Sequence, residues 1–219
     1  MDKKAVIFDI DGLMVNTEVY YTKSWQMGLN KYGYDISDEE VASYSGLNWR
    51  IVGKKIAERY QDEVLAENVI AERERILNEV IEAGKIELKP HIKEVLTYLK
   101  EKGYRLAVAS SGKKARASRI LEILGLLPYF EFCIYGDDVK KNKPYPDCYL
   151  EALHRLNIAA DEAVAVEDSL TGAKAATNAN IEVIVIPDSN LHHEYSKEEL
   201  SDIHCLVQAP DLSVIKEVL

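Results

Sequence analysis

Two aspartates one residue apart, Asp9 and Asp11, follow the apolar run Ala5-Val6-Ile7-Phe8 and precede Gly12. A run of that kind reads as a strand buried on both faces. In extended backbone, residues two apart project to the same side, so both carboxylates should leave the strand end together. Acids that close repel unless one is protonated or a cation lies between them. A hard Mg²⁺ is the cation their oxygens suit. Further polar residues follow other strand-like runs: Ser110-Ser111-Gly112 after Arg105 to Ala109, and Glu167-Asp168-Ser169 after Ala163 to Val166. Lys143 lies in a Lys- and Pro-rich loop, Lys140 to Pro146. In a parallel sheet the carboxyl ends share one edge, where ligands bind. Asp9, Asp11, Ser110, Lys143, Glu167 and Asp168 can then converge on one crevice. A carboxylate nucleophile, a metal shell, a hydroxyl and an ammonium together suit phosphoryl transfer through an aspartyl phosphate.

Each residue alone has a plainer reading. Ser110 could cap a helix. Lys143 could be a solvated loop lysine. Glu167-Asp168-Ser169 could be favourable charge at a helix start. The conjunction of all of them at strand ends is what points to chemistry.

The elements that must position these residues alternate. From Pro90 onward the spacing predicts helices and strands in turn: a helix through Ile92, Val95, Leu96 and Leu99, and a strand over Arg105 to Ala109. A helix through Ala117, Ile120, Leu121 and Leu124 follows, then a short strand, Phe132 to Tyr135. Next come a helix with Tyr149, Ala152, Leu153 and Leu156, a strand to Val166, a small-residue helix to about Asn178, and a strand from Glu182 to Ile186. Ser196 to Glu199 has a capping-box pattern, and a final helix is expected near Asp211. This alternation predicts an α/β fold, a three-layer Rossmann-like core with a parallel sheet. Between the first strand and Pro90 the pattern is helical only. Tyr21, Trp25, Leu29 and Tyr32 share one helix face, Ser37-Asp38-Glu39-Glu40 is a capping box, and Asn48 can cap a helix with Val52, Ile56 and Tyr60. A long helix runs from about Asp62 to Ala83, and Gly84 ends it. Residues 17–86 therefore read as an inserted α-helical domain, and 1–16 with 87–219 as the core.

The 219 residues are ample for a buried core. A net charge of −10 argues against non-specific nucleic-acid or anionic-membrane binding. No stretch approaches a membrane-spanning length. Cys133, Cys148 and Cys205 are scattered and form no C-x-x-C, so neither a disulfide framework nor a zinc site is indicated. A reducing, cytoplasmic location is the simplest expectation. Adjacent His192 and His193 diverge in direction and read as an exposed loop.

The chain resembles the haloacid dehalogenase superfamily, in its β-phosphoglucomutase-like branch of helical-capped phosphatases. Asp9-Ile10-Asp11-Gly12-Leu13 with Asn16-Thr17-Glu18 resembles the first motif. Ala109-Ser110-Ser111-Gly112 resembles the second, Lys143-Pro144-Tyr145-Pro146-Asp147 the third, and Val166-Glu167-Asp168-Ser169 with Gly172 the fourth. The motifs stand in family order over essentially the whole chain, with the insertion where this branch keeps its cap. The resemblance implies that Asp9 attacks phosphorus and that Asp11 is general acid and base. It implies that Ser110, with Ser111 and Gly112, holds phosphate and that Lys143 pairs with phosphate and Asp9. Mg²⁺ would be held by Asp9, the backbone carbonyl of Asp11, Glu167 and Asp168. Trp49, Arg50 and Tyr20 are the cap candidates for contact with the leaving group, with Tyr21 read rather as packing between cap helices. A self-capped site makes a monomer the default, with the cap rocking on linkers near Val15-Asn16 and Ile86-Leu88.

Three positions depart from the sugar-phosphate mutases of that branch. Tyr21 stands where they carry a His, Trp49 stands where they carry a phosphate-binding Arg, and Asn16 replaces an Asp. The first two favour a Mg²⁺-dependent phosphomonoesterase acting on a small phosphorylated metabolite, a sugar phosphate or nucleoside monophosphate. The alternatives are a β-phosphoglucomutase-type mutase and a non-enzymatic phospho-acceptor or binding module.

Overall fold

The computed structural model describes residues 3–44, 47, 49–188 and 194–219. The expectations for Gly46, Asn48, His192 and His193 fall outside them. The elements run β1 (Ala5–Phe8), α1 (Glu18–Lys31), α2 (Asp38–Ala42), α3 (Trp49–Tyr60), α4 (Glu63–Glu82), α5 (Ile92–Glu101) and β2 (Arg105–Ala109). They continue α6 (Lys114–Ile123), β3 (Phe132–Ile134), α7 (Asp147–Leu156), β4 (Ala163–Glu167), α8 (Leu170–Asn178), β5 (Glu182–Val185), β6 (Cys205–Gln208) and α9 (Ile215–Val218). Contacts divide the chain into two compact units, Met1–Asn16 with Glu87–Leu219, and Thr17–Ile86.

The first unit is an α/β fold on one six-stranded parallel sheet, in the order β3-β2-β1-β4-β5-β6. Strand β1 is central, with Ala5 opposite both Arg105 and Ala163. Its four residues are all buried, as a strand covered on both faces requires. Alternate side chains part to the two faces. Ala5, Ile7, Ala107, Ala109, Ala163 and Ala165 share a core with Tyr149, Ala152 and Leu156 of α7 and Ala173 and Ala176 of α8. Alanine on both sides of that contact lets the helices lie close to the strands. Val6, Phe8 and Val108 take the opposite face, where α5 packs on β2 and the Phe8 ring meets Phe130 edge-on at 6.2 Å.

The C-terminal stretch differs from expectation. Ser196 and Glu199 do make the reciprocal capping bonds, Ser196 N–H to Glu199 Oε2 at 2.8 Å and Glu199 N–H to Ser196 Oγ at 3.3 Å. They open a run of turns rather than a helix. An unanticipated sixth strand, β6, then pairs with β5 across a register shift between Val183 and Ile184. It is an edge strand with no fully buried residue, so its hydrophobic signal is weak. The last helix starts later, at Ile215, behind a turn in which Asp211 accepts the Ser213 N–H at 2.8 Å.

Among the described residues, the regular elements of the second unit are all helices. Ser37 Oγ accepts the Glu40 N–H at 3.2 Å and caps α2, and Asp62 caps α4 through the Leu65 N–H at 2.8 Å. Trp25, Leu29, Val52, Ile56, Leu65 and Val69 form its core. Arg73 of α4 is buried with its guanidinium 4.6 Å from the Trp25 ring and 5.5 Å from that of Tyr21. Tyr21 thus packs between helices, as its reading as a packing residue anticipates. Among the described residues, no helix is long and apolar enough to cross a membrane.

Candidate active site

The carboxyl ends of β1, β2 and β4 bring the first unit's motif residues to one edge of the sheet. Asp9 directly follows β1, and its N–H donates to Val166 O at 3.1 Å. Ser110 directly follows β2, and Glu167 closes β4. All three are buried, as is Asp168.

Lys143 is the hub. Its ammonium, on a side chain 6% exposed, donates to Asp9 Oδ1 at 2.5 Å and Ala109 O at 2.8 Å, and meets Glu167 Oε1 at 2.6 Å. An ammonium has three protons, so three acceptors fix its direction. The loop that carries it is tied to α8 by Asn178, whose amide donates to Pro144 O at 3.0 Å. The solvated-lysine reading therefore fails here. Burial weighs against the Lys143 ammonium, but Asp9 and Glu167 outweigh it and raise its pKa above the ordinary lysine value. For Asp9, burial is the largest influence and pushes the carboxyl up to about 8. Lys143 pulls the other way, while Glu167 and Asp11 push it further up.

Asp9, Glu167 and Asp168 each offer a carboxylate oxygen, and the three lie within 4.8 Å of one another. Hard oxygen donors in an over-negative, buried cluster suit a divalent cation such as Mg²⁺. Two glycines make room for these acids. A Cβ on Gly12, whose φ is +81°, would overlap the Asp168 carboxylate, and one on Gly172 would overlap that of Glu167. The motif glycine at 172 is therefore a space requirement, not a turn.

Asp11 lies beside the turn that follows β2. Its Oδ2 lies 3.3 Å, and Ser110 Oγ 3.1 Å, from where a Cβ on Gly112 would be. Ser110 Oγ also accepts the Gly112 N–H at 2.9 Å, so its own proton points elsewhere. Ser111 and Gly112 follow in the same turn, whose Gly112 carbonyl accepts the Gly136 N–H at 3.0 Å. Among the cap candidates, Arg50 stacks its guanidinium 4.5 Å over the Trp49 ring at the start of α3. The Tyr20 hydroxyl donates to Lys85 O at 2.9 Å, within the helical unit. These three belong to the second unit.

Sequence reasoning missed several supports. Tyr149, fully buried in α7, donates its hydroxyl to Glu167 Oε1 at 2.5 Å. The Tyr195 hydroxyl donates to Asp168 O at 3.0 Å. Asp188, just past β5, is buried and paired with Lys89. The strand-end rule that selects Asp9 and Glu167 also selects Asp188, since Pro187-Asp188 ends the fifth strand. Tyr149 carries no such signal, because an aromatic on an apolar helix face reads as core.

The chain is similar to known proteins in sequence and in fold. Residues 6–186 match the Haloacid dehalogenase-like hydrolase family. A phosphorylated carbohydrates phosphatase of Thermotoga maritima is 30% identical over 99% of this chain and 100% of its own. Protein CbbY of Cereibacter sphaeroides is 32% identical, covering 87% of each chain. The crystal structure of CbbY from Rhodobacter sphaeroides in complex with phosphate superposes with a TM-score of 0.74 at 25% identity, over 95% of this chain and 94% of that one. Motif order, fold and relatives agree: the chain belongs to the haloacid dehalogenase-like hydrolases and is itself a hydrolase.

Proposed function

We propose that the protein is a Mg²⁺-dependent phosphomonoesterase that acts on small phosphorylated metabolites, sugar phosphates first, through an aspartyl phosphate on Asp9. The observation that carries this reading is the buried bridge from Asp9 through Lys143 to Glu167 at the sheet's carboxyl edge. A phosphatase of phosphorylated carbohydrates among the relatives supports the substrate class.

The Asp9 carboxylate attacks phosphorus, forming an O–P bond as the P–O bond to the alcohol breaks. Asp11 gives its proton to the leaving alkoxide and then takes one from the water that hydrolyses the acyl phosphate. Lys143 steers Asp9 and neutralises a phosphate oxygen. Ser110 donates its hydroxyl proton to another, beside the backbone of Ser111 and Gly112. Asp9, Glu167, Asp168 and the Asp11 carbonyl would hold Mg²⁺, which supplies charge neutralisation and alignment of the phosphoryl group. Residues 17–86 are read as the cap domain, and Trp49, Arg50 and Tyr20 as its candidates for recognising the leaving group. Free thiols at Cys133, Cys148 and Cys205 fit a reducing cytoplasm, and a self-capped site fits a monomer.

Phosphate release is measured from p-nitrophenyl phosphate and a panel of sugar phosphates and nucleoside monophosphates, with β-glucose 1-phosphate plus glucose 1,6-bisphosphate included. Turnover should require Mg²⁺, stop with a chelator, and fall by about 10³-fold or more in Asp9→Asn, as for loss of a nucleophile. Undiminished turnover in Asp9→Asn refutes the mechanism. Net isomerisation of β-glucose 1-phosphate in place of hydrolysis would establish the mutase instead. Absence of any turnover in the folded protein would favour a binding module.

A further inference from the structure

Beside the residues assigned to phosphoryl transfer lies a second buried ion pair. The Asp188 side chain is fully enclosed and that of Lys89 is 11% exposed, with Lys89 Nζ bonded to Asp188 Oδ1. Lys89 is one of the first residues after the chain re-enters the sheet unit at Glu87. Its N–H donates to Met14 O at 2.9 Å, and the preceding Leu88 bridges Val15. It is thereby fastened to the loop that follows Asp9 and Asp11. The other oxygen of Asp188 points toward Gly12: a Cβ there would meet Oδ2 at 3.3 Å and would overlap Oδ2 of Asp168. Asp188 and Asp168 therefore crowd the same bare backbone position from neighbouring strand ends.

A buried lone carboxylate at that place would be costly, and an ammonium offsets the cost. The two charges act on a neighbouring divalent cation in opposite senses. Groups behind the direct ligands of a metal commonly set its affinity. Resting on the reading of Asp9, Glu167 and Asp168 as the Mg²⁺ site, we propose that Lys89 and Asp188 are a positioning pair that sets how strongly this cluster holds its cation. Asp188 adds negative charge behind Asp168. Lys89 limits that charge and keeps the carboxylate in register with the loop after β1.

The test is isothermal titration of MgCl₂ into metal-free wild type, Asp188→Asn, Lys89→Gln and the double variant. Each substitution removes one charge and keeps a hydrogen-bonding group, and thermal melts check folding. Asp188→Asn should raise the Mg²⁺ Kd about tenfold and Lys89→Gln should lower it about tenfold, in the range of outer-group effects on metal sites. The double variant buries no lone charge and should return to within about twofold of wild type, whether or not a single variant folds poorly. A pair that only props the fold would shift both singles the same way and leave the double variant weakened; either result overturns the proposal. Wild type that takes up no Mg²⁺ overturns the metal reading itself, and with it this one.

Discussion

Tyr149→Phe isolates a single hydrogen bond beneath the reacting groups. The ring stays, so no cavity forms in the core it shares with Ala109 and Ala165. Lys143 keeps its place over that ring, 5.4 Å from the centroid. Only the hydroxyl that donates to Glu167 at 2.5 Å is lost. Burial, reinforced by the Glu167 charge, holds that hydroxyl well above the ordinary tyrosine range, so it is a donor at any working pH. A hydrogen bond to a charged group contributes roughly 1.5–3 kcal/mol. For a chain of this size that corresponds to a drop in Tm of roughly 3–12 °C. Glu167 would keep Lys143 but lose its second anchor, and kcat should fall about tenfold, as when a ligand's outer partner is removed. Calorimetry and phosphate release on the same preparations measure both. A Tm within about 1 °C of wild type, with kcat unchanged, would mean that the contact holds nothing in place.

Two further outcomes follow from the packing. Gly172→Ala adds a good helix former to α8, which elsewhere would stabilise by roughly 0.5–1 kcal/mol. Here the new Cβ overlaps the Glu167 carboxylate, so the sign reverses: phosphate release should fall at least about tenfold and Tm should drop, and a stabilised, fully active variant would refute the crowding. In the helical unit, Arg75 and Lys31 hold the Glu72 carboxyl down at about 2, against an ordinary value of 4.5. A depressed carboxyl stabilises above its unfolded value and loses that contribution as pH falls toward its folded one. Glu72→Gln should therefore flatten the acid decline of Tm between pH 4.5 and 2; an unchanged slope over that window would remove Glu72 from the account.

The sheet and the motif residues were legible because both rest on strong local rules. A fully apolar run such as Ala5 to Phe8 has to be buried on both faces, and polar residues that end such runs have to share an edge if the strands are parallel. Glycine at 12 and 172 was readable as motif, but its reason, the bulk of a carboxylate from another strand end, is a tertiary fact. Strand β6 was not legible, since an exposed edge carries little hydrophobic pattern. Tyr149 was hidden for the opposite cause: its ring obeys the core pattern so well that the hydroxyl's task is invisible. Asp188 was within reach of the strand-end rule but belongs to none of the four motifs.

The place of β1 has a consequence for how the chain acquires its fold. Ala5 must find Arg105 on one side and Ala163 on the other, so the first strand synthesised is among the last to gain both neighbours. Pairings of such long sequence separation are slow to form, and an apolar strand awaiting partners is open to association with other chains. The helices of residues 17–86 make contacts among themselves and can settle early, leaving Ala5 to Phe8 exposed on the ribosome until β4 emerges. Mutations that slow closure of the sheet should therefore lower soluble yield more than they lower the stability of molecules that have already folded.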